Sequence, residues 1–418
     1  MADNDIPFAL PYMGTQEEEA VLRVLRSGWL TTGKEALAFE KEFSAFLWGP
    51  VRNSPQAELQ SFAVNSATSG LHLALEASGI GPGDVVLVPS FTFASTAEVV
   101  RYLKADVAFV DTAPGTFHLD PNALERTIDR LSRGLPAYPP RKNSRDTGFG
   151  PRGKPKAALP VHYGGLPCDM GRIMEICRRR GVRVIEDAAH AFPSLLGDGR
   201  FAGAIGDAGV FSFYATKTIT TGEGGMVVTG DPDIAKRISI MRLHGIDRTV
   251  WNRYTDNRAS WYYEIVEPGY KYNLPDILAA IGRIQLQRAW ELFEMRKRIA
   301  AQYDEAFRDN PHLTIPPSGA GDARHLYPLG IKSETLTIDR DTFIDKLKEK
   351  GIGVSVHFIP LHIMPYYKKC YGLEAEDFPE SLKNFKKVIS LPIWPGMTSS
   401  QVERVIDALG SICGETAR

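Results

Sequence analysis

Between residues 61 and 229 the chain alternates short apolar runs with amphipathic ones. SFAVNS is followed by GLHLALEASG, DVVLVPS by STAEVVRYLK, and ADVAFVD and ALPVHYG lead towards MGRIMEICRRRG and VRVIED; AGVFSF and GGMVVTG come later. A strand that is apolar at nearly every position has to be covered on both faces, and helices supply that cover in a mainly parallel sheet. The pattern therefore predicts an α/β fold. Two helices precede it, EEEAVLRVLRSG and EALAFEKEFSAFL. After GYKYNLPD the pattern changes to a long helix, predicted roughly from Pro275 to Phe307, then short strands (HLYPLGIKS, GVSVHF) and helices (DRDTFIDKLKEKG, SSQVERVIDALG). This reads as a smaller α+β domain. A length of 418 residues suits two domains, expected at 1–265 and 266–418. Residues 133–157 are rich in Pro, Gly and basic side chains. They are expected to form a long exposed loop or disordered insertion, either a solvated flap or a basic lid for a phosphorylated ligand.

Charge, cysteine spacing and hydropathy argue against several function classes. The net charge of −1 offers no global field for nucleic acid or membrane. Cys168, Cys177, Cys370 and Cys413 lie far apart with no CxxC pair, which suggests a reducing compartment. MADNDIPFALPYMG does not read as a signal peptide, and no apolar run reaches the roughly 18 residues of a membrane helix. A soluble cytoplasmic protein is the expectation. GWLTTGKE at 28–35 nearly matches a phosphate-binding loop, but Glu35 stands where a Ser or Thr should hold Mg²⁺, and the segment follows a helix. No dinucleotide fingerprint is present, and the histidines lack metal-site spacing.

The stretch FSFYATKTITTGEGG (211–225) places Lys217 in an otherwise uncharged run. A solvated lysine usually keeps charged company. Asp187 ends the apolar run VRVIED, His190 follows it, and Ser212 ends the next apolar run. In parallel α/β sheets such strand ends face the ligand crevice. One chemistry needs all of these. A lysine forms a Schiff base readily when burial and nearby cations ease its deprotonation. Pyridoxal phosphate (PLP) uses such a lysine, and a buried carboxylate keeps its pyridine nitrogen protonated. Its phosphate would suit Asn65-Ser66-Ala67-Thr68-Ser69-Gly70, between a strand and a helix, with Ser212 adding a hydroxyl. Phe93 could cover the ring face. Singly, Asp187 or Thr68 could be helix caps and Phe93 a core residue. Jointly they point to PLP.

The chain resembles the DegT/DnrJ/EryC1/StrS family of PLP-dependent nucleotide-sugar aminotransferases. The likeness runs through LRSGWLTTG, SATSGLHLAL, GDVVLVPSFTFAST, EDAAHA, FSFYATK, GEGGMVV, RLHGI, GYKYNLPDILAAI and VHFIPLH. It implies the PLP-dependent transferase type I fold, like that of aspartate aminotransferase. By that resemblance Lys217 is the Schiff-base lysine, and Asp187 pairs with the pyridine nitrogen. His190 lies near the cofactor's phenolic oxygen, and Phe93 stacks on its ring. Ala67, Thr68, Ser69 and Ser212 hold the phosphate, and Asn273 reaches it from the partner subunit, so a homodimer with shared active sites is expected. Trp29 and Thr31 lie near the sugar, and His357 and His362 near the sugar or nucleotide end. No metal is implied.

The expected reaction moves an amino group from L-glutamate to a nucleotide-linked keto-sugar, at C4 by the resemblance with C3 open, in surface glycan synthesis. A PLP-dependent sugar dehydratase and a non-catalytic binding protein of the same fold are the alternatives. A histidine in place of Lys217 would favour the dehydratase.

Overall fold

The structure, a computed structural model, describes residues 5–49, 58–141, 147–246 and 263–418. Its centre is a seven-stranded sheet of β1 (Gln60–Val64), β2 (Asp84–Pro89), β3 (Asp106–Val110), β4 (Lys154–Ala158), β5 (Arg183–Asp187), β6 (Ala208–Ser212) and β7 (Gly225–Thr229). The strand order is β1-β7-β6-β5-β4-β2-β3. Only β7 runs against its neighbours. The mainly parallel sheet predicted from the apolar runs is present, and the C-terminal ends of β1, β2, β4, β5 and β6 share one edge.

Both faces of the sheet are covered, as such strands require. Along β6, Val210 joins one core and Phe211 the other; along β7, Val227 and Met226 divide in the same way. The first core is closed by α3 (Ala67–Ala77), α4 (Ala94–Tyr102), α5 (Pro121–Ser132), α6 (Met170–Arg180) and α7 (Pro232–Met241). The opposite face meets α2 (Lys34–Trp48), whose Phe39 and Phe43 pack against Phe213 and Phe211 at 5.3 and 5.1 Å between ring centres. Sequence-local signals start these helices. Asp120 and Asp231 accept N–H bonds from the first turns of α5 and α7, each with Pro at the first helical position.

The expected helix from Pro275 to Phe307 is two helices, α8 (Asp276–Gln287) and α9 (Ala289–Phe307). Arg288, at φ −95° and ψ 3°, turns the chain between them. The break lets α8 pack on α1 (Thr15–Ser27) and α2, while the far half of α9 enters a second core. That core surrounds a three-stranded antiparallel sheet of β8 (Leu313–Thr314), β9 (Tyr327–Ile331) and β10 (Val388–Leu391), with α10 (Arg340–Glu349) and α11 (Ser399–Thr416). Ile6 belongs to it too, bonded through its backbone to Gly351 and Gly353, whereas Leu274, Ala279 and Leu292 belong to the core beneath the large sheet. In place of a division at 265/266, we propose one within α9, with the N-terminal strap returning to the second core.

The segment 133–157 also departs from expectation. Its last residues form β4, inside the sheet, and Ala137 and Tyr138 are buried. Residues 142–146 of this stretch lie outside the described residues. The reason is the exposed edge at β3. An edge strand presents unpaired N–H groups, and two tyrosine hydroxyls cover them here. Tyr138 accepts from Phe109 N–H at 2.6 Å, and Tyr371 accepts from Val107 N–H at 2.9 Å. Arg141 then ties the segment to Asp377 and stacks over Phe149. Removing the Tyr138 hydroxyl (Tyr138→Phe) leaves a buried N–H unpaired and should cost about 1–2 kcal/mol. A fall in thermal midpoint measures it; an unchanged midpoint would mean that water replaces the hydroxyl.

Candidate active site

At the C-terminal edge of the large sheet lies a cavity of about 450 Å³. Asp187 reaches it from the end of β5, Ser212 from the end of β6, and Lys217 from the loop that follows. Ala67 and Thr68 line it from the first turn of α3, and Phe93 from the start of α4. His190 and His357 complete the expected set that the fold brings together.

The loop carrying Lys217 is held by its own threonines. Thr220 Oγ1 donates to Phe213 O at 2.9 Å, Thr221 N–H to the same oxygen at 3.0 Å, and Thr221 Oγ1 to Glu223 O at 2.5 Å. Phe211, Phe213 and Ile219 are buried beside it. Burial pushes the Lys217 amine down to about 8, with the charge of Arg296 acting in the same direction and Asp187 pulling back. Asp187 Oδ2 accepts from Thr96 Oγ1 at 2.9 Å and Oδ1 from Ala189 N–H at 3.2 Å. Burial raises its pKa against these donors. The adjacent Glu186 faces away from the cavity, accepting N–H bonds from Gly203, Ile205 and Gly206 and pairing with His162 at 2.9 Å. These contacts fix the strand end on which Asp187 sits.

His190, His325 and His357 give the cavity three uncharged imidazoles. Burial pushes His190 and His325 well below the ordinary value and His357 down to about 4, and Lys217 adds to each shift. Gly164 N–H donates to His190 Nδ1 at 3.3 Å, leaving the proton on Nε2. His325 was not anticipated from the sequence. It is 4% exposed, its Nδ1 has no partner among the described residues, and its ring lies 4.6 Å from that of His190. Phe8, Tyr214, Glu223 and Phe358 also line the cavity without having been singled out. Only the apolar character of YPLGI after His325 hinted at a strand there.

Other expectations meet a different arrangement. The Ser69 hydroxyl donates to Ser66 O at 2.7 Å and its N–H to Ser66 Oγ at 3.1 Å, so both groups serve the helix cap, not the cavity. His362 is fully buried, bonded to Ser90 Oγ and, at 3.0 Å, to Ala375 O, and does not line the cavity. Trp29, Thr31 and Asn273 lie together elsewhere: Asn273 Nδ2 donates to Thr32 Oγ1 at 2.6 Å, and Trp29 Nε1 to Thr32 O at 3.3 Å. Asp276 caps α2 through Gly33 and Ala36 N–H at 2.7 and 3.0 Å, so GWLTTGKE is a helix start and not a phosphate loop.

A family model matches residues 11–410, and its description is the DegT/DnrJ/EryC1/StrS aminotransferase family. The chain belongs to that family. It is 41% identical over 411 residues to the spore coat polysaccharide biosynthesis protein SpsC of Bacillus subtilis, covering 97% of each chain. Spr1654 of Streptococcus pneumoniae, provisionally assigned as a sugar aminotransferase and solved in its PLP form, superposes with a TM-score of 0.82 at 27% identity, over 98% of this chain and 99% of that one. The aminotransferase TlmJ of Streptoalloteichus hindustanus gives 0.81 at 31% identity, over 99% and 100%. The fold is therefore that of the PLP-dependent sugar aminotransferases, and this family member is a PLP-dependent aminotransferase.

The residues present suit PLP. The first-turn N–H groups of Ala67 and Thr68 have no acceptor within α3 and line the cavity. Gly225 allows this close approach, since a Cβ there would meet Ala67 N at 2.8 Å. Ser212 Oγ accepts from Tyr214 N–H at 3.3 Å, leaving its own O–H to donate. Phe93 is 58% exposed in the single chain, an apolar face available to a flat ring. Raising the pH deprotonates Lys217, and only the free amine condenses with an aldehyde. The rate of PLP incorporation into the cofactor-free protein should therefore rise about tenfold per pH unit below about 8 and level off above it. Stopped-flow absorbance checks this; a rise continuing to the ordinary lysine value would show that the amine is not perturbed.

Proposed function

We propose that this family member transfers an amino group from L-glutamate to the keto carbon of a nucleotide-linked sugar, at C4, in surface glycan synthesis. The observation that carries the reading is the convergence of a lysine with a lowered pKa, a buried carboxylate and an open helix N-terminus on one cavity. SpsC, by its name a polysaccharide biosynthesis protein, supports the pathway class, and Spr1654 the sugar substrate.

In this reading Lys217 Nζ holds the cofactor. Thr68, the first-turn N–H groups of Ala67 and Thr68, and the Ser212 hydroxyl hold its phosphate. Asp187 pairs with the pyridine nitrogen, Phe93 covers the ring, and His190 Nε2–H donates to the phenolic oxygen. When bound, PLP supplies an electron sink for the bond broken at the donor's α-carbon. Lys217 Nζ, its pKa pushed down to about 8, takes and returns the proton at that carbon. Asp187 keeps a negative charge buried where a protonated nitrogen would otherwise be unpaired. Thr96 and Ala189 orient that carboxylate. The neutral His325 and His357 offer hydrogen bonds to a sugar without adding positive charge beside Lys217. The two substrates use the cavity in turn, so kinetics should be ping-pong.

We also propose a homodimer with shared sites. Trp29, Thr31 and Asn273 cluster outside their own chain's cavity. Such a patch can complete the site of the partner subunit, which accounts for three expected site residues at once.

Borohydride reduction in the presence of PLP should tag Lys217, as read by peptide mass spectrometry. Lys217→Ala should lose the tag and at least about 10²–10⁴-fold in turnover. Asp187→Asn should keep the tag and lose turnover; near-normal turnover in that variant would remove Asp187 from the mechanism. With L-glutamate and nucleotide-linked 4-keto-sugars, amino-sugar and 2-oxoglutarate should appear in equal amounts. Ammonia without 2-oxoglutarate would mean a dehydratase. No conversion with any amino donor would mean a binding protein.

A further inference from the structure

Arg296, on α9, is 1% exposed, and among the described residues no carboxylate pairs with it. Its guanidinium instead meets three backbone carbonyls. Nη1 donates to Ile393 O at 2.8 Å and His325 O at 3.2 Å, and Nη2 to Thr216 O at 3.3 Å; among the described residues Nε has no partner. Thr216, His325 and Ile393 all line the cavity. They come from three separate segments: the loop that carries Lys217, the stretch entering β9, and the stretch leaving β10.

We propose that Arg296 is a positioning residue for the transamination. It ties three walls of the cavity together and keeps an uncompensated positive charge behind Lys217. Stability alone does not account for this arrangement. A buried guanidinium without a counter-ion is costly, and an apolar side chain of similar volume is often neutral or better in such a place. What the guanidinium adds is reach and charge. A planar fork can bond several carbonyls at once, whereas a lysine would satisfy fewer. Burial pushes the Arg296 pKa down to about 9, which still leaves it charged at neutral pH. That charge opposes the ammonium form of Lys217, adding to burial, while Asp187 favours it. The remaining groups around Lys217 do not cancel the effect. His190, His325 and His357 are neutral, and Tyr214 and Glu223 line the cavity without an ion pair to Lys217 among the described residues.

This inference rests on Lys217 being the reactive lysine, and the test separates the two. Wild-type protein, Arg296→Gln and Arg296→Lys would be prepared free of cofactor. Each would be labelled with acetic anhydride across neutral to alkaline pH, and the labelling of Lys217 read by mass spectrometry. Arg296→Gln removes the charge and should raise the labelling midpoint by about one pH unit, a tenfold loss of free amine at neutral pH. Arg296→Lys loses the fork, and burial would discharge the substituted amine as it does that of Lys217, so its midpoint should rise as well. At a pH above every midpoint it should still lose about tenfold in kcat, because the three walls are no longer held in register. An unchanged midpoint in Arg296→Gln would overturn the electrostatic role, and wild-type kcat in Arg296→Lys the positioning role. If Arg296→Gln does not fold, an unchanged midpoint in Arg296→Lys would equally overturn the electrostatic role. Borohydride tagging of a different lysine in the wild-type protein would instead overturn the assignment of Lys217 itself.

Discussion

Desolvation of one amine organises this molecule. Lys217 sits on a loop whose neighbours Phe211, Phe213 and Ile219 are buried, and its side chain reaches a cavity at the sheet edge. Burial disfavours the ammonium, so the amine becomes a usable nucleophile and base near neutral pH. The surroundings preserve that condition. The three imidazoles of the cavity are themselves held neutral, and among the described residues Asp187 is the buried carboxylate that draws the proton back. A chemistry that consumes Lys217's lone pair and needs a buried anion in the same cavity uses both features.

The cavity is assembled from distant parts of the chain. Strand ends of the large sheet supply Asp187 and Ser212, and α3 supplies its open N-terminus. The stretch entering β9 contributes His325, the stretch between α10 and β10 contributes His357, and the N-terminal strap contributes Phe8, stacked on His357 at 5.3 Å. Arg296 lies where these pieces meet. Its three carbonyl contacts make the relative placement of both lobes part of the same structure that holds Lys217.

Residues at strand ends and helix starts were legible in the sequence because local rules place them. Asp187, Ser212, Ala67, Thr68 and Phe93 each follow an apolar run, and the topology turns such positions towards the crevice. Ser69 escaped because a capping box competes for the same hydroxyl, and the box is the shorter-range interaction. His362 escaped because the Ser90 partner that buries it lies 272 residues away in the chain. The long predicted helix failed at Arg288 for a related reason. Its two halves serve different cores, and helical periodicity cannot report which surface each half must meet. Tyr138 inside a polar, Pro-rich stretch likewise shows no local sign that its hydroxyl seals a strand edge.

From the sequence alone came the alternating α/β pattern, the lysine in an uncharged run and the acid at a strand end. Periodicity and apolar burial are local properties, so they can be read without the fold. The tertiary structure decided the rest. It decided that three histidines from both lobes face one amine, that Arg296 braces three walls of the cavity with no counter-ion among the described residues, and that Trp29, Thr31 and Asn273 gather outside their own cavity. These are consequences of long-range packing, where the partners of a side chain are set by how the sheet twists and how the two cores meet.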